Sequence, residues 1–412
     1  MKKESNVLVA QSGGPTTVIN ASLAGVIAGA LKEASIDKIY GSMNGITGVL
    51  DERLLALDEL FGEKEELILR LKNTPSMFLG SCRYKLKEMD EKEAEYKKIF
   101  AIFEKYQIRY FFYIGGNDSM DTVAKLSAYA KETNYDITIL GVPKTIDNDL
   151  VGIDHTPGFG SAAKYIASSI VEIAHDTYIY DTESVVIVEV MGRNAGWLTA
   201  SAVLARNEYS AAPHLIYLPE KPFSTGQFIK DVREQLKEHK QVVVAVSEGV
   251  KDLDGQYISA KSGQVDQFGH VQLSGTGKYL EGLVKDAVNC KVRSVELNVL
   301  QRCAAHIASA TDREEAFELG CHGVRAAMEG HNREMVMLTR TSNAPYQVEY
   351  GTVDIDLVAN QEKMIPDEWI NAAGNDVGGG IMDYLRPLIE GEPELEFEQG
   401  IPKYLHVREL MN

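Results

Sequence analysis

Short runs of β-branched and aromatic residues recur along this chain, each ending in a loop of Gly, Asp, Asn or Arg that precedes a helical stretch. NVLVAQ leads into SGGPTTV and then INASLAGVIAGALKEA, YFFYI leads into GGNDS and MDTVAKLSAYAKE, and ITILGV leads into PKTIDND. SVVIVEV is followed by MGRNAG and WLTASAVLA, and VVVAVSEG is a further apolar strand ending in a polar loop. Nearly continuous apolar strands alternating with helices predict an α/β fold whose mostly parallel sheet is covered on both faces. In such sheets the loops at the carboxyl ends of the strands gather around one crevice, where ligands bind. The polar residues of these loops are therefore expected to meet in space.

With 412 residues the chain is too long for one simple core and fits two α/β lobes or one large domain with additions. The stretch near 252–280 reads as turns and a hairpin insertion. After about residue 340 the pattern weakens, and PDEWINAAGNDVGGG is loop-rich before a helix at IMDYLRPLIEG. No apolar run reaches the roughly 18 residues of a membrane span, and the lysines and strand of MKKESNVLVAQSGG do not resemble a signal peptide. A cytoplasmic location without a membrane partner is expected.

The net charge of −18 argues against a nucleic-acid partner, which would need a basic face. It also obliges a phosphate-handling site to concentrate Lys, Arg and Mg²⁺ locally against the overall field. Cys82, Cys290, Cys303 and Cys321 lack CxxC spacing, which excludes a disulfide framework or zinc ribbon. The C-x-x-H step from Cys303 to His306 has no second pair and reads as packing.

Each polar loop admits a chemical and a structural reading. Gly13-Gly14 can bring backbone N–H groups and a helix amino terminus close to a phosphate, or can form a tight turn. In GGNDS, Gly115-Gly116 can cradle a phosphate while Asn117 and Asp118 offer oxygens to a hydrated Mg²⁺; an Asx-rich helix cap is the alternative. PKTIDND is the most informative segment. An alcohol nucleophile needs a base, and phosphoryl transfer needs positive charge on the moving group. One loop here offers Lys144 as the charge, Thr145 as a phosphate-contacting hydroxyl, Asp147 as the base and Asp149 for the metal. A structural turn with exposed acids accounts for Asp149 but poorly for the packed K-T-x-D order. Arg193 in MGRN suits a phosphate or sugar anchor, or an interdomain ion pair, and Glu248 in SEG suits a sugar hydroxyl or is a loop acid. Arg83, Arg293 and Arg302 are further cations, individually explained as well by surface ion pairs.

Taken together and in this order, the loops over about residues 5–335 resemble the phosphofructokinase family, with TIDND and MGR its most specific parts. The resemblance implies two Rossmann-like lobes with the active site between them: 1–150 for the phosphoryl donor, with later segments returning to it, 151–335 for fructose 6-phosphate, and a carboxyl-terminal extension at 336–412 packing on both. By position it makes Asp147 the base for the sugar C1 hydroxyl. Thr145, Ile146, Met191, Gly192, Arg193, Glu248 and Arg302 would hold fructose 6-phosphate, with Arg293 reaching a neighbouring subunit's site. Gly13, Gly14, Gly80, Arg83, Gly116, Asp118 and Ser119 would hold the donor, and Asn117 with Asp149 the Mg²⁺. It further implies a homodimer or homotetramer. ATP-using bacterial members typically carry Gly at the positions of Asp118 and Lys144, and pyrophosphate-using members resemble this chain at both. A carboxylate at 118 would repel the α-phosphate of a nucleotide, and Lys144 can stabilise a small leaving phosphate. The expected reaction is reversible, glycolytic transfer from pyrophosphate, giving fructose 1,6-bisphosphate and phosphate; an ATP-dependent 6-phosphofructokinase and a catalytically silent regulatory subunit are the alternatives. The chain departs from the family's pattern at Asn117, usually an acid, at Val299, usually aromatic or His, and at Ala24 and Ala28, where allosteric members place arginines for effector phosphates.

Overall fold

The computed structural model describes residues 5–262 and 275–407. Two sheets organise the molecule. The first is built from strands β1 (Asn6–Gln11), β2 (Ile39–Ser42), β3 (Leu54–Ala56), β4 (Ile108–Gly115) and β5 (Thr138–Pro143). The second uses β6 (Ser184–Val190), β7 (Leu215–Tyr217), β8 (Gln241–Ser247) and β9 (Lys291–Glu296). The chain then returns to the first sheet with β10 (Glu334–Asn343) and β11 (Tyr346–Asp354). The resulting orders are β11-β10-β5-β4-β1-β2-β3 and β7-β8-β6-β9.

The second sheet is parallel throughout, with Val188 of β6 opposite Ala245 and Val295. The first is parallel except at its edges, where β3 and β11 run antiparallel to their neighbours. Because side chains alternate across a strand, Val186, Val188 and Val190 enter one core while Val185 and Ile187 enter another. The first sheet buries Val7, Leu8, Val9, Phe111 and Phe112 completely. Each such side chain contributes about 1.5–3 kcal/mol by leaving water, which is what makes continuous apolar runs viable as central strands.

The helix at Ala310–Glu329, expected with the second lobe, packs instead on helix Ile19–Lys32 of the first. Ser309 caps it by accepting from the Asp312 N–H, and Gly330 at φ 94° ends it. Glycines make the crossing close: a Cβ on Gly25 would stand 2.0 Å from the Phe317 carbonyl oxygen, and one on Gly320 2.2 Å from that of Ser22. Beyond residue 335 the chain does more than cover the lobes. The β10–β11 hairpin completes the first sheet, and Ile381, Leu385 and Leu388 enter the second core. Of the hairpin expected near 252–280, an antiparallel bridge between Lys251 and Tyr257 and a 3₁₀ turn at Ile258–Ser262 are present, and 263–274 lie outside the described residues.

Candidate active site between the two sheets

The carboxyl ends of β1, β4, β5, β6 and β8 open onto one cavity of about 820 Å³. It collects Gly13, Gly14, Arg83, Gly116, Asn117, Asp118, Ser119, Lys144, Thr145, Ile146, Asp147, Asp149, Met191, Arg193, Glu248 and Arg302. The loops singled out in the sequence therefore converge, as the strand–loop–helix repeat requires.

On the first-sheet side, the Gly13-Gly14 turn lies between two cations. A Cβ at Gly13, whose φ is +81°, would come within 3.2 Å of Lys144 Nζ, and one at Gly14 within 3.4 Å of Arg302 Nη1. Glycine here leaves room for an anion to reach both charges and the backbone together. Ser81 Oγ donates to the Gly13 carbonyl at 2.7 Å, fixing the turn. Gly80 does not line the cavity; its φ of +73° shapes the loop that carries Ser81, with no room for a Cβ beside Asn44. Gly116 caps helix Asn117–Glu132, and Ser119 Oγ donates to Ser12 Oγ at 3.1 Å, tying that helix start to the loop after β1. Asp118 is exposed at the rim, with Lys85 Nζ at 3.8 Å.

The loop after β5 runs through the middle. Lys144 is almost fully buried, and Nζ donates to the Gly14 carbonyl at 2.7 Å. Burial lowers its pKa to about 8, although Asp147 and Asp149 oppose the shift and Arg302 adds to it. The Thr145 hydroxyl accepts from the Asp147 N–H at 3.1 Å. Asn148 is buried in a left-handed conformation, φ 54°, and turns the chain so that Asp147 and Asp149 both border the cavity. Its amide donates to the Tyr384 hydroxyl at 2.9 Å and accepts from the Thr156 N–H at 3.0 Å. Burial pushes the Asp147 carboxyl above its ordinary range, with Glu248 adding to the effect against Lys144 and Arg193. Burial and then Asp147 raise Asp149 to about 7.

On the second-sheet side, Gly192 lies behind the surface rather than in it. Its N–H donates to Glu248 Oε1 at 3.3 Å and its carbonyl accepts from Ser247 Oγ at 2.6 Å, which joins the MGR and SEG loops. Burial raises the Glu248 carboxyl, while the Gly192 N–H, Arg193 and Arg302 hold it down. Arg293 is outside the cavity, about half exposed, with Asp176 at 3.5 Å.

Three sets of lining residues were not predicted, the first being Pro15 beside the Gly13-Gly14 turn. Asn194 and Ala195 follow the MGR motif directly. Asn360 and Glu362 arrive from the carboxyl-terminal region, with no motif around them. Asn117, expected at the metal, faces them: its Nδ2 donates to the Gln361 carbonyl at 2.6 Å and its Oδ1 accepts from the Asn360 N–H at 2.7 Å. Each end of its amide is thus held by one backbone group. Asp149 Oδ1, in contrast, is buried without a hydrogen-bond partner.

Comparison with known proteins identifies the family. The phosphofructokinase family model matches residues 6–327. A pyrophosphate–fructose 6-phosphate 1-phosphotransferase from Methylococcus capsulatus is 41% identical over 403 residues, covering 97% of this chain and 95% of that protein. A sulfofructose kinase from Alkalicoccus urumqiensis is 34% identical, with 92% and 95% covered. The crystal structure of a pyrophosphate-dependent phosphofructokinase from Nitrosospira multiformis superposes with a TM-score of 0.87 at 38% identity, covering 98% of this chain and 96% of that one. The chain belongs to the phosphofructokinase family.

Proposed function

We propose that this chain transfers a phosphoryl group from pyrophosphate to the C1 hydroxyl of fructose 6-phosphate, giving fructose 1,6-bisphosphate and phosphate. The observation that carries the reading is the placement of a partly buried carboxylate, Asp147, and a buried lysine, Lys144, on one loop between a glycine turn and the Arg193 and Glu248 loops. Asp147 accepts the C1 hydroxyl proton as that oxygen attacks the near phosphorus, and its raised proton affinity suits it to do so. The bond from that phosphorus to the bridging oxygen breaks, and the departing phosphate meets Lys144 and the Gly13-Gly14 turn. Met191, Arg193, Glu248 and Arg302 hold the sugar phosphate. The exposed Asp118 carboxylate at the rim would repel the α-phosphate of a nucleotide donor.

Mg²⁺, when bound, neutralises charge on the transferring phosphoryl oxygens. Asp149 fits it, because its buried charged oxygen lacks a partner, and Asn117 fits less well, because its amide is neutral and already held at both ends by backbone. No three His, Cys, Asp or Glu side chains gather for a metal among the described residues, so the ion would rest on Asp149, water and donor oxygens.

A homodimer or homotetramer fits the exposure of Arg293 away from its own cavity, where a second copy can use it. No nucleotide effector is expected at helix Ile19–Lys32, since Ala24 is fully buried and Ala28 uncharged. No described helix is long and apolar enough to cross a membrane. The test offers the purified protein fructose 6-phosphate and Mg²⁺ with pyrophosphate or ATP. Faster turnover with ATP overturns the donor. Asp147→Asn should lower kcat by about 10²–10⁴-fold, and an unchanged kcat overturns the base.

A further inference from the structure

Residues 360–363 run between the two sheets and bind three of the loops that the proposed reaction must align. At one end Asn117 exchanges two backbone hydrogen bonds with Asn360 and Gln361, and Asn360 Nδ2 donates to Asp121 Oδ1 at 3.0 Å. In the middle the Lys363 N–H donates to the Asp149 carbonyl at 2.7 Å, and its ammonium donates to the carbonyls of Asp154 at 2.7 Å and Ile153 at 3.2 Å. At the far end Asn194 Nδ2 donates to Glu362 Oε1 at 2.9 Å and Trp197 Nε1 to the Lys363 carbonyl at 2.8 Å. Asn360 and Glu362 also line the cavity. The segment lies beyond the region that the family model matches, which ends at residue 327.

We propose that 360–363 is a positioning strap that holds the Asn117, Asp149 and Asn194 loops in register across the lobes, and that Asn117 is its docking residue. The inference rests on the phosphotransfer reading for its kinetic consequence and on geometry alone for the docking. An amide is required at 117 because one side chain must donate to a carbonyl and accept from an N–H at once. Aspartate has only acceptors when ionised, so it would place a carboxylate oxygen against the Gln361 carbonyl. Displacing a reacting group by about 1 Å costs on the order of 100-fold in rate, so slackening the strap should act on kcat.

The substitution Asn117→Asp separates docking from metal ligation, because the two roles predict opposite signs. A ligand role predicts a lower Mg²⁺ requirement, since a charged oxygen replaces a neutral one. The strap predicts a fall in kcat of about tenfold or more with no gain in Mg²⁺ affinity. Asn194→Ala cuts the other end, away from any metal role, and should lower kcat in the same direction while substrate KM values stay close to wild type. A readout independent of activity comes from the two tryptophans, Trp197 and Trp369, which pack 6.1 Å apart at the strap. Their emission should shift to the red in Asn117→Asp without a loss of far-ultraviolet circular dichroism. Unchanged emission with a lower Mg²⁺ requirement overturns the proposal, as does unchanged kcat in Asn194→Ala. Were the wild type inactive with pyrophosphate, the donor reading would fall while the emission result still decided the docking.

Discussion

Lys144 tests the electrostatics of the cavity most directly. Burial holds its pKa at about 8, against an ordinary value of 10.5. At about 1.4 kcal/mol for each tenfold change in proton affinity, that gap is worth roughly 3 kcal/mol. Pyrophosphate arriving at the Gly13-Gly14 turn would place negative charge beside Nζ and restore the proton affinity. Near pH 8 about half of the free sites carry an uncharged Lys144, so binding should draw roughly half a proton per site from solvent through this residue. Near pH 6 the lysine is already charged and its share vanishes. Calorimetric titration of pyrophosphate in two buffers of different ionisation enthalpy measures the uptake. Lys144→Arg keeps its charge throughout, because a guanidinium does not lose its proton in this range. Near pH 8 the variant should still bind, with uptake smaller by roughly half a proton. Equal uptake in wild type and Lys144→Arg would refute the argument that a depressed lysine awaits its anion.

Asp118→Gly combined with Lys144→Gly should raise the ratio of ATP to pyrophosphate efficiency by about tenfold or more if these side chains exclude the nucleotide; steady-state kinetics with each donor decide, and an unchanged ratio rejects the exclusion. Gly320→Ala forces a methyl against the Ser22 carbonyl and should cost about 2 kcal/mol or more, read from urea midpoints. Gly282→Ala, where a Cβ meets nothing within 4 Å on helix Thr276–Ala287, serves as the control and should be neutral or stabilising. For His155, burial disfavours the charge but Glu315 at 2.6 Å and Asp154 at 2.8 Å outweigh it and raise the pKa to about 9. A raised folded pKa stabilises fully below the unfolded value near 6.5 and is lost as pH rises through about 9. Unfolding free energy should therefore fall over that window in wild type, and His155→Gln should flatten the decline.

What could be read from the sequence followed local rules. TIDND, GGNDS and MGR stand at strand ends, where an α/β sheet delivers side chains to one crevice, so the motif's place in the chain determined its place in space. The β10–β11 hairpin was missed for a physical reason. β11 is an edge strand with no fully buried residue, alternating between half-buried and exposed over 346–350, so its sequence carries no apolar run. Asn360 and Glu362 sit in irregular backbone and gain their role from partners far away in the chain, which no periodicity records. Asn117 shows the same limit. An Asx residue after two glycines suits a cap, a metal or a backbone dock equally well, and only the carbonyl and N–H opposite it decide.

The return of β10, β11 and helix Ala310–Glu329 to the first sheet also sets an order of events during synthesis. The second sheet needs no strand beyond β9, so its ladder can close once Glu296 has left the ribosome, with Ile381, Leu385 and Leu388 joining its core later. The first sheet begins with residue 6 yet leaves β5 an open edge until residues 334 and 335 pair with Leu140 and Gly141. The sheet begun first is therefore closed last, and its apolar edge must be shielded from neighbouring nascent chains through most of translation.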